Sequence, residues 1–362
     1  MKRKLTVAKN SSSTPAKPGA KGLLTDVREM ILATRQTVAQ GVNSALTTLY
    51  WEIGRRIRHD VLQSKRAGYG EQIVAALGRQ LEREFGRGYG EKNLWRTVQF
   101  AEVFPDRKIV VSLIRELSWT HFLRLIPIED RLKREFYAEM CRIERWSTRA
   151  LGKKIGGMLF ERTALSRKPE KLAAMELKAL REEDKLTPDL VFRDPYLLDF
   201  LGLKDTYAEK DVEAAILREM EAFILELGVG FAFVARQKRM QIDDRDYYLD
   251  LLFYHRKLRR LVAIDLKIGD FEAADKGQME LYLNWLKRYE CEPDEAAPIG
   301  MILCAGKSAE HVELLELEKS GIHVATYWTK VLPKKQLERK LHQAVLLARA
   351  RLGAGTSRDN PK

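Results

Sequence analysis

Apolar residues recur at helical spacing through most of the first 160 positions. Val27, Ile31, Thr34 and Val38 are followed by Ala45, Leu46, Leu49, Ile53 and Ile57, a spacing that places them on helix faces. Turn-like breaks interrupt the pattern at Ala67-Gly68-Tyr69-Gly70, Gly86-Arg87-Gly88-Tyr89-Gly90, Phe104-Pro105-Asp106 and Ile126-Pro127. The spacing predicts an all-helical region of five to seven helices over 22–160, with no strand-like alternation of useful length. Before it, residues 1–21 are small, polar and Pro/Gly-punctuated, and predict a disordered basic arm. Residues 161–187 are charge-rich and read as a linker with a short helix.

After Thr187-Pro188-Asp189 the texture changes. Residues 209–227 predict one amphipathic helix with Val212, Ile216, Met220, Phe223 and Leu227 on a single face and Gly228 ending it. Three strand-type runs follow at 231–242, 247–255 and 261–269, separated by Asp243-Asp244-Arg245-Asp246 and by the segment Arg256 to Arg260. A helix near 275–289, a buried strand at 298–304, a helix near 308–319, a strand at 322–327 and a basic helix at 334–351 complete the pattern. The expected architecture is a two-domain α+β and α/β chain. A helical, helix-turn-helix-like N-terminal domain (22–160) precedes an αβββαβ core (188–335), and 336–362 form a basic helix and tail.

Charge sharpens this division. The chain of 362 residues carries 64 Lys+Arg against 51 Asp+Glu, a net +13. Residues 1–160 hold +14 and residues 161–362 hold −1, so the whole excess lies in the N-terminal part, as a polyanion-binding surface requires. No apolar run reaches about 18 residues, which argues against a membrane-spanning helix. No apolar run of signal-peptide length follows the basic start, so a cytoplasmic location is expected. The three cysteines, Cys141, Cys291 and Cys304, have neither disulfide-framework nor zinc spacing.

The strongest chemical signal lies in YYLDLLFYH (247–255) and LVAIDLKIG (261–269). Strand side chains alternate between faces. A two-residue turn at Lys257-Leu258 would set Arg256 against Arg259 and Asp250 opposite Asp265, with Cβ atoms about 4.5–5.5 Å apart. That register groups Tyr248, Asp250, Leu252 and Tyr254 on one face. It puts Leu249, Leu251 and Phe253 on the other, together with Val262, Ile264, Leu266 and Ile268; a one-residue slip would mix the faces. Paired carboxylates repel unless a cation lies between them, and their hard oxygens suit Mg²⁺ or Mn²⁺. Lys267 projects from the Asp265 side, where an ammonium can orient a nucleophile or stabilise charge on a phosphate. The bland reading is an ordinary salt bridge between Asp265 and Lys267.

These residues resemble the PD-(D/E)XK nuclease superfamily. The longer strings RDPYLLDFLGL (193–203), GFAFVARQ (230–237) and GQMELYLN (277–284) resemble its YhcG-like family, as do RGYGEKNLWRTVQFAEVFP (87–105) and LSWTHFLRLIPIEDRLKREFY (117–137) in the N-terminal half. The resemblance covers about residues 25–335. It implies a metal-dependent endonuclease in which Asp250 and Asp265 hold metal and Lys267 is the catalytic lysine. It makes Gln278 the motif glutamine that meets substrate backbone, and Glu213 the helix acid completing the metal shell. Leu249 stands where the motif has proline, and the literal Pro188-Asp189 lies outside the hairpin and is not the motif.

Arg236 and Gln237 flank the site from the preceding strand, and the pattern alone does not say which of them faces it. His255 falls on the face away from Asp250, as a structural residue would. In the N-terminal half, a helix beginning near Glu91 with Lys92 and Arg96, preceded by Arg87 in a glycine-rich turn, suits a helix that meets nucleic acid. The turn is longer than usual, and Trp95 and Phe100 at this spacing suit a core. The functional expectation is a Mg²⁺-dependent (or Mn²⁺-dependent) DNA endonuclease with an N-terminal DNA-binding domain, with homo-oligomerisation left open. The alternative is a non-catalytic nucleic-acid-binding or complex-assembly protein that keeps the nuclease fold.

Overall fold

The structure is a computed structural model that describes residues 20–62, 67–203, 208–330 and 333–355. The basic arm expected at 1–21 lies, but for its last two residues, outside the described residues. The chain divides into two compact units, Met1–Trp119 and Thr120–Lys362.

The first unit is helical: α1 (Ala20–Ile57), α2 (Ala67–Phe85), α3 (Glu91–Val103) and α4 (Arg107–Leu113), with α5 (Trp119–Leu125) starting at its end. A 3₁₀ turn at Arg87–Tyr89 joins α2 to α3. The far half of α1 lies against α3, where Ile57, Val74, Leu94 and Val98 form a small core with Trp95 packed on it. Phe100 is fully buried, so both aromatic residues serve the core. The α1–α3 crossing is close because Gly54 faces it: a Cβ there would fall 1.8 Å from the Thr97 carbonyl oxygen. Asp106 caps α4 by accepting a bond from the Lys108 N–H at 2.7 Å.

The second unit begins with more helices: α6 (Arg131–Glu144), α7 (Thr148–Gly156), α8 (Leu159–Arg162), α9 (Glu170–Glu183) and α10 (Pro188–Val191). The segment expected as a linker at 161–187 is therefore largely ordered helix. Its charges are partnered within the unit: the Arg181 guanidinium meets Glu139 at 2.6 Å and Glu135 at 3.2 Å, and Arg142 reaches Asp184 at 2.7 Å. Ala173, Leu177 and Leu180 are buried beneath them. A charge-rich sequence here marks an ion-paired helix rather than a solvated connection.

The expected single helix at 209–227 is two, α11 (Glu209–Arg218) and α12 (Met220–Leu227), broken at Glu219 (φ −106°, ψ 32°). Val212, Ile216, Phe223 and Leu227 nevertheless share one core, with Met220 packed against it. After β1 (Tyr196–Leu197), the strands are β2 (Phe231–Ile242), β3 (Arg245–His255), β4 (Arg260–Leu266), β5 (Ile299–Cys304) and β6 (Ile322–Trp328). Helix α13 (Ala273–Tyr289) connects β4 to β5, α14 (Ala309–Leu314) lies between β5 and β6, and α15 (Lys334–Gly355) ends the described chain. The six strands form one mixed sheet in the order β1-β6-β5-β4-β3-β2. The pairs β2–β3 and β3–β4 are antiparallel and the rest parallel.

The β3–β4 register runs from His255↔Arg260 to Leu251↔Ile264, which is the alignment that brings Asp250 and Asp265 level one step further on. The connecting loop is longer than the two residues expected. Arg256–Arg259 all lie in the turn, closed by the Leu258 N–H donating to His255 Nδ1 at 3.1 Å, with Arg259 left-handed (φ 50°). The facial assignment also needs correction. The face opposite the acids is apolar as expected, but the acid-bearing face carries a core as well, so both sides of β4 are covered. Val262, Ile264 and Leu266 join Leu251 and Phe253 under α11 and α12, while Leu261 and Ala263 join Leu252 under α13. Leu249, expected beside Leu251, packs with Met240 in this second core; its partner Lys238 on β2 follows Gln237, which takes φ 44°. A strand buried on both faces loses clean alternation. Ile268, expected at the end of the third strand, lies past β4 and is exposed.

The crossing at Gly54 gives a direct test. Gly54→Ala should destabilise the protein by about 1–3 kcal/mol, the cost of overpacking a close contact. Chemical denaturation of the full chain should show it as an earlier transition, whereas Gly41→Ala, where a Cβ meets nothing within 4 Å, should show none.

Candidate active site

The end of β4 and the start of α13 enclose the candidate chemistry. Asp265 is the penultimate residue of β4 and only 3% exposed. Its carboxylate lies 3.0 Å from the Lys267 ammonium. Asp250, from β3, is held at both oxygens: Oδ2 accepts the Leu266 N–H at 2.8 Å and Oδ1 accepts from the Gln237 amide at 3.1 Å. The choice left open between Arg236 and Gln237 is thereby resolved geometrically. Gln237 turns into the site, and Arg236 is exposed on β2.

Lys267 is positioned by α13. Its Nζ donates to Gln278 Oε1 at 3.3 Å and lies 3.8 Å from Asp275. The Gln278 amide donates to the Tyr282 hydroxyl at 2.6 Å, which donates in turn to the Tyr248 carbonyl at 3.1 Å. Asp275, Gln278 and Tyr282 are three and four residues apart, so one helical face points at the lysine. Sequence reasoning singled out Gln278 alone. The spacing of its two neighbours was the signal that could have found them. Glu209 was also missed. It lies one turn before Glu213 on α11, and its carboxylate accepts the Ile268 N–H at 3.3 Å.

The electrostatics are those of an anion-rich, half-enclosed site. Burial, with the Asp250 charge adding to it, pushes the Asp265 carboxyl up to about 6 against the pull of Lys267. Burial likewise raises Asp250, opposed by its bonds from Leu266 and Gln237 and reinforced by the nearby charge of Glu213. Lys267 is held above its ordinary value: burial would lower it, but the Asp265 carboxylate outweighs that. Glu213 adds an orphan, since its Oε1 is buried without a hydrogen-bond partner.

The structure therefore draws together Asp250, Asp265, Lys267, Gln278 and Gln237, with Glu213 close enough to act on Asp250. Arg87 and Lys92 are exposed and Arg96 half-buried in the other compact unit. Asp189 of the literal Pro-Asp dipeptide is ion-paired with Lys168 and takes no part in this cluster. His255 is buried, with burial pushing its imidazole down to about 4, as befits the turn-closing acceptor it is.

Among the described residues no group of three or more His, Cys, Asp and Glu side chains is set to hold a metal. Mg²⁺ does not require one, since it usually keeps several waters beside one or two carboxylates. The donor set fits such an ion: burial raises both the Asp250 and Asp265 carboxyls, Asp250 adds to the rise of Asp265, and a Glu213 carboxylate oxygen is buried without a partner.

Comparison with known proteins defines the class. Residues 189–342 match the YhcG PDDEXK nuclease domain and residues 26–162 match the DUF1016 N-terminal domain. The Escherichia coli (strain K12) protein named "Putative nuclease YhcG" is 36% identical over 310 residues, covering 77% of this chain and 82% of that protein. The chain belongs to the YhcG family of PD-(D/E)XK nucleases.

Among solved structures, a repair endonuclease from Pyrococcus abyssi is 22% identical over 34% of this chain, with a TM-score of 0.24. EndoMS in complex with dsDNA is 18% identical over 36%, with a TM-score of 0.27. The chain spans about half the length of each of these two, 49% in both. No helix among the described residues is long and apolar enough to cross a membrane.

The raised Asp265 carboxyl predicts a pH dependence. The ordinary value of 3.8 rises to about 6 on folding, so between these values the folded chain binds the proton more tightly than the unfolded chain. Stability must therefore fall as pH rises from about 4 to about 6, by on the order of 2–3 kcal/mol. In metal-free buffer at pH 7.5, Asp265→Asn should melt above wild type, and the difference should vanish below pH 4. A melting temperature for Asp265→Asn at or below wild type at pH 7.5 would refute the buried-charge account.

Proposed function

We propose that the chain is a divalent-metal-dependent DNA endonuclease that hydrolyses phosphodiester bonds. The half-enclosed Asp250–Asp265–Lys267 cluster, with the unbonded Glu213 oxygen beside it, carries this reading. Asp250 and Asp265 would hold Mg²⁺ or Mn²⁺, with Glu213 completing the set. When bound, the ion supplies positive charge against the phosphate and eases deprotonation of the attacking water. Lys267 brings an ammonium to the same place, where it can orient the water and stabilise negative charge developing on the phosphate. Gln237 holds the Asp250 carboxylate in orientation. Gln278 holds Lys267 by its oxygen and is held by Tyr282, so its contribution is to position the lysine. A contact from Gln278 to substrate backbone would compete with these bonds.

For the N-terminal helical region, the proposal is DNA binding through the phosphate backbone. The excess of +14 over residues 1–160 supports it, as does the exposure of Arg87 and Lys92 around the start of α3. This reading makes α2, the 3₁₀ turn and α3 a helix-turn-helix-like unit in which Lys92 and Arg96 approach phosphate. Arg236 would do the same from β2. A cytoplasmic location completes the proposal, consistent with the three cysteines all being free.

Cleavage of single-stranded, duplex and branched DNA with Mg²⁺ or Mn²⁺ tests the catalytic part. Asp265→Ala and Lys267→Ala should each lower cleavage by on the order of 10²–10³-fold, the scale of losing transition-state electrostatics. Both should bind DNA nearly as wild type does, since a catalytic lysine acts mainly on the transition state. Binding without metal-dependent cleavage by the wild type would instead favour an assembly protein on a nuclease fold. For the N-terminal part, Lys92→Ala should flatten the dependence of log affinity on log salt by about 0.9, one phosphate contact. An unchanged slope would remove α3 from the interface.

A further inference from the structure

Helix α1 has two apolar faces, and the fold uses one. From Thr47 onward, the side bearing Tyr50, Trp51 and Ile57 is buried, with Gly54 at the α3 crossing. At 100° per residue, the stripe beginning at Val27 runs along roughly the opposite side of the helix. Val27, Ile31, Val38, Val42 and Leu49 are between 42 and 61% exposed. Every described side chain from 27 to 43 is exposed.

The stripe is periodic. Val27, Ile31 and Thr34 recur eleven residues later as Val38, Val42 and Ala45, and the next repeat opens with Leu49 and Ile53. An eleven-residue repeat, 3.67 residues per turn, keeps a seam facing a second helix over many turns. Its members are mostly β-branched, which lowers intrinsic helix propensity. A solitary helical stretch of this length is marginal in water even with good helix formers, and owes its stability to packing of its apolar face. No stripe position carries a charge, so phosphate is not what the stripe meets.

We propose that residues 27–49 of α1 pair with the same stripe on a second copy of the chain, making the protein a homodimer. At 1.5 Å per residue the stripe is about 34 Å long. Two copies of it bury on the order of 1,000 Å² together, the size at which specific interfaces begin. A closed two-fold pair uses one self-complementary patch on both partners, and a seam whose only polar member is Thr34 suits that condition. The dimer then carries two nuclease sites on one assembly, whatever their substrate.

Light scattering and sedimentation of the full-length chain at tens of micromolar test the pairing. The wild type should have twice the monomer mass. Ile31→Glu combined with Val38→Glu should raise the dissociation constant at least about 100-fold and give a monomer, because each glutamate would be desolvated in the seam. Its unfolding midpoint in the monomeric range should stay that of wild type, since both side chains are exposed in the single chain. Leu32→Glu, exposed but off the stripe, should remain dimeric. Thr34→Ile should tighten the dimer by on the order of tenfold by replacing the buried hydroxyl, and it tests the seam even if the double variant misfolds. A monomeric wild type, a dimer indifferent to the double substitution, or a Thr34→Ile chain no tighter than wild type would each overturn the proposal. So would a wild type that stays monomeric until nucleic acid is added.

Discussion

Enclosing Asp265 beside Asp250 is the constraint on which the nuclease domain depends. A buried carboxylate is costly unless it is paired and hydrogen-bonded, and here a second, half-buried carboxylate stands beside it. Asp250 is satisfied by the Leu266 amide and Gln237. Asp265 has the Lys267 ammonium. That ammonium must then be kept from turning to solvent, which is the task of the α13 face formed by Asp275, Gln278 and Tyr282. The Tyr282 bond to the Tyr248 carbonyl ties this face back to β3. The loop of bonds thus closes on the strand that bears Asp250, so neither carboxylate is positioned independently of the lysine.

The same constraint explains the layered build around the site. Because β4 lies between β3 and β5 and is covered by α11 and α12 on one side and α13 on the other, the Asp265 side chain is shielded from water. An edge strand would leave it wet and near its ordinary acidity. Covering both faces makes the charges interact strongly. In the helical regions, charge is handled differently. Arg181, Glu135, Glu139 and Arg142 are matched sign for sign across α6 and α9.

Much of the site was legible because period-two alternation and acid pairing selected one register, and the structure has that register. The αβ element order after residue 209 was legible too, since strand-type and helix-type runs alternate there with turn residues between them. What failed did so for identifiable reasons. The break at Glu219 is invisible to periodicity, because α11 and α12 keep one apolar face across it. The four-residue turn depends on a His255 side chain closing it, a bond that no turn composition announces. Helix α9 was read as a linker because its ion-pair partners on α6 lie some forty residues away in sequence. Leu249 was assigned by strict alternation, which does not foresee the left-handed Gln237 beside its partner Lys238.

Three departures from local rules meet at the site. Gln237 holds a left-handed conformation (φ 44°), costing on the order of 1–3 kcal/mol for a residue without glycine's freedom, and its amide is spent on Asp250. Glu213 buries an oxygen with no partner, and Asp265 is buried to a raised acidity. Each could be relieved by a common substitution, and each acts on the same pair of carboxylates. Strain of this kind persists where function requires what folding alone would discard. The buried His255 shows the contrast: its ring meets Phe231 edge-on at 4.7 Å, its Nδ1 closes a turn, and it takes no part in the carboxylate cluster. At the site, by contrast, the unpartnered Glu213 oxygen acts on Asp250, and Asp250 acts on the raised Asp265 carboxyl, a gathering of negative charge that Lys267 alone does not offset and that favours a cation.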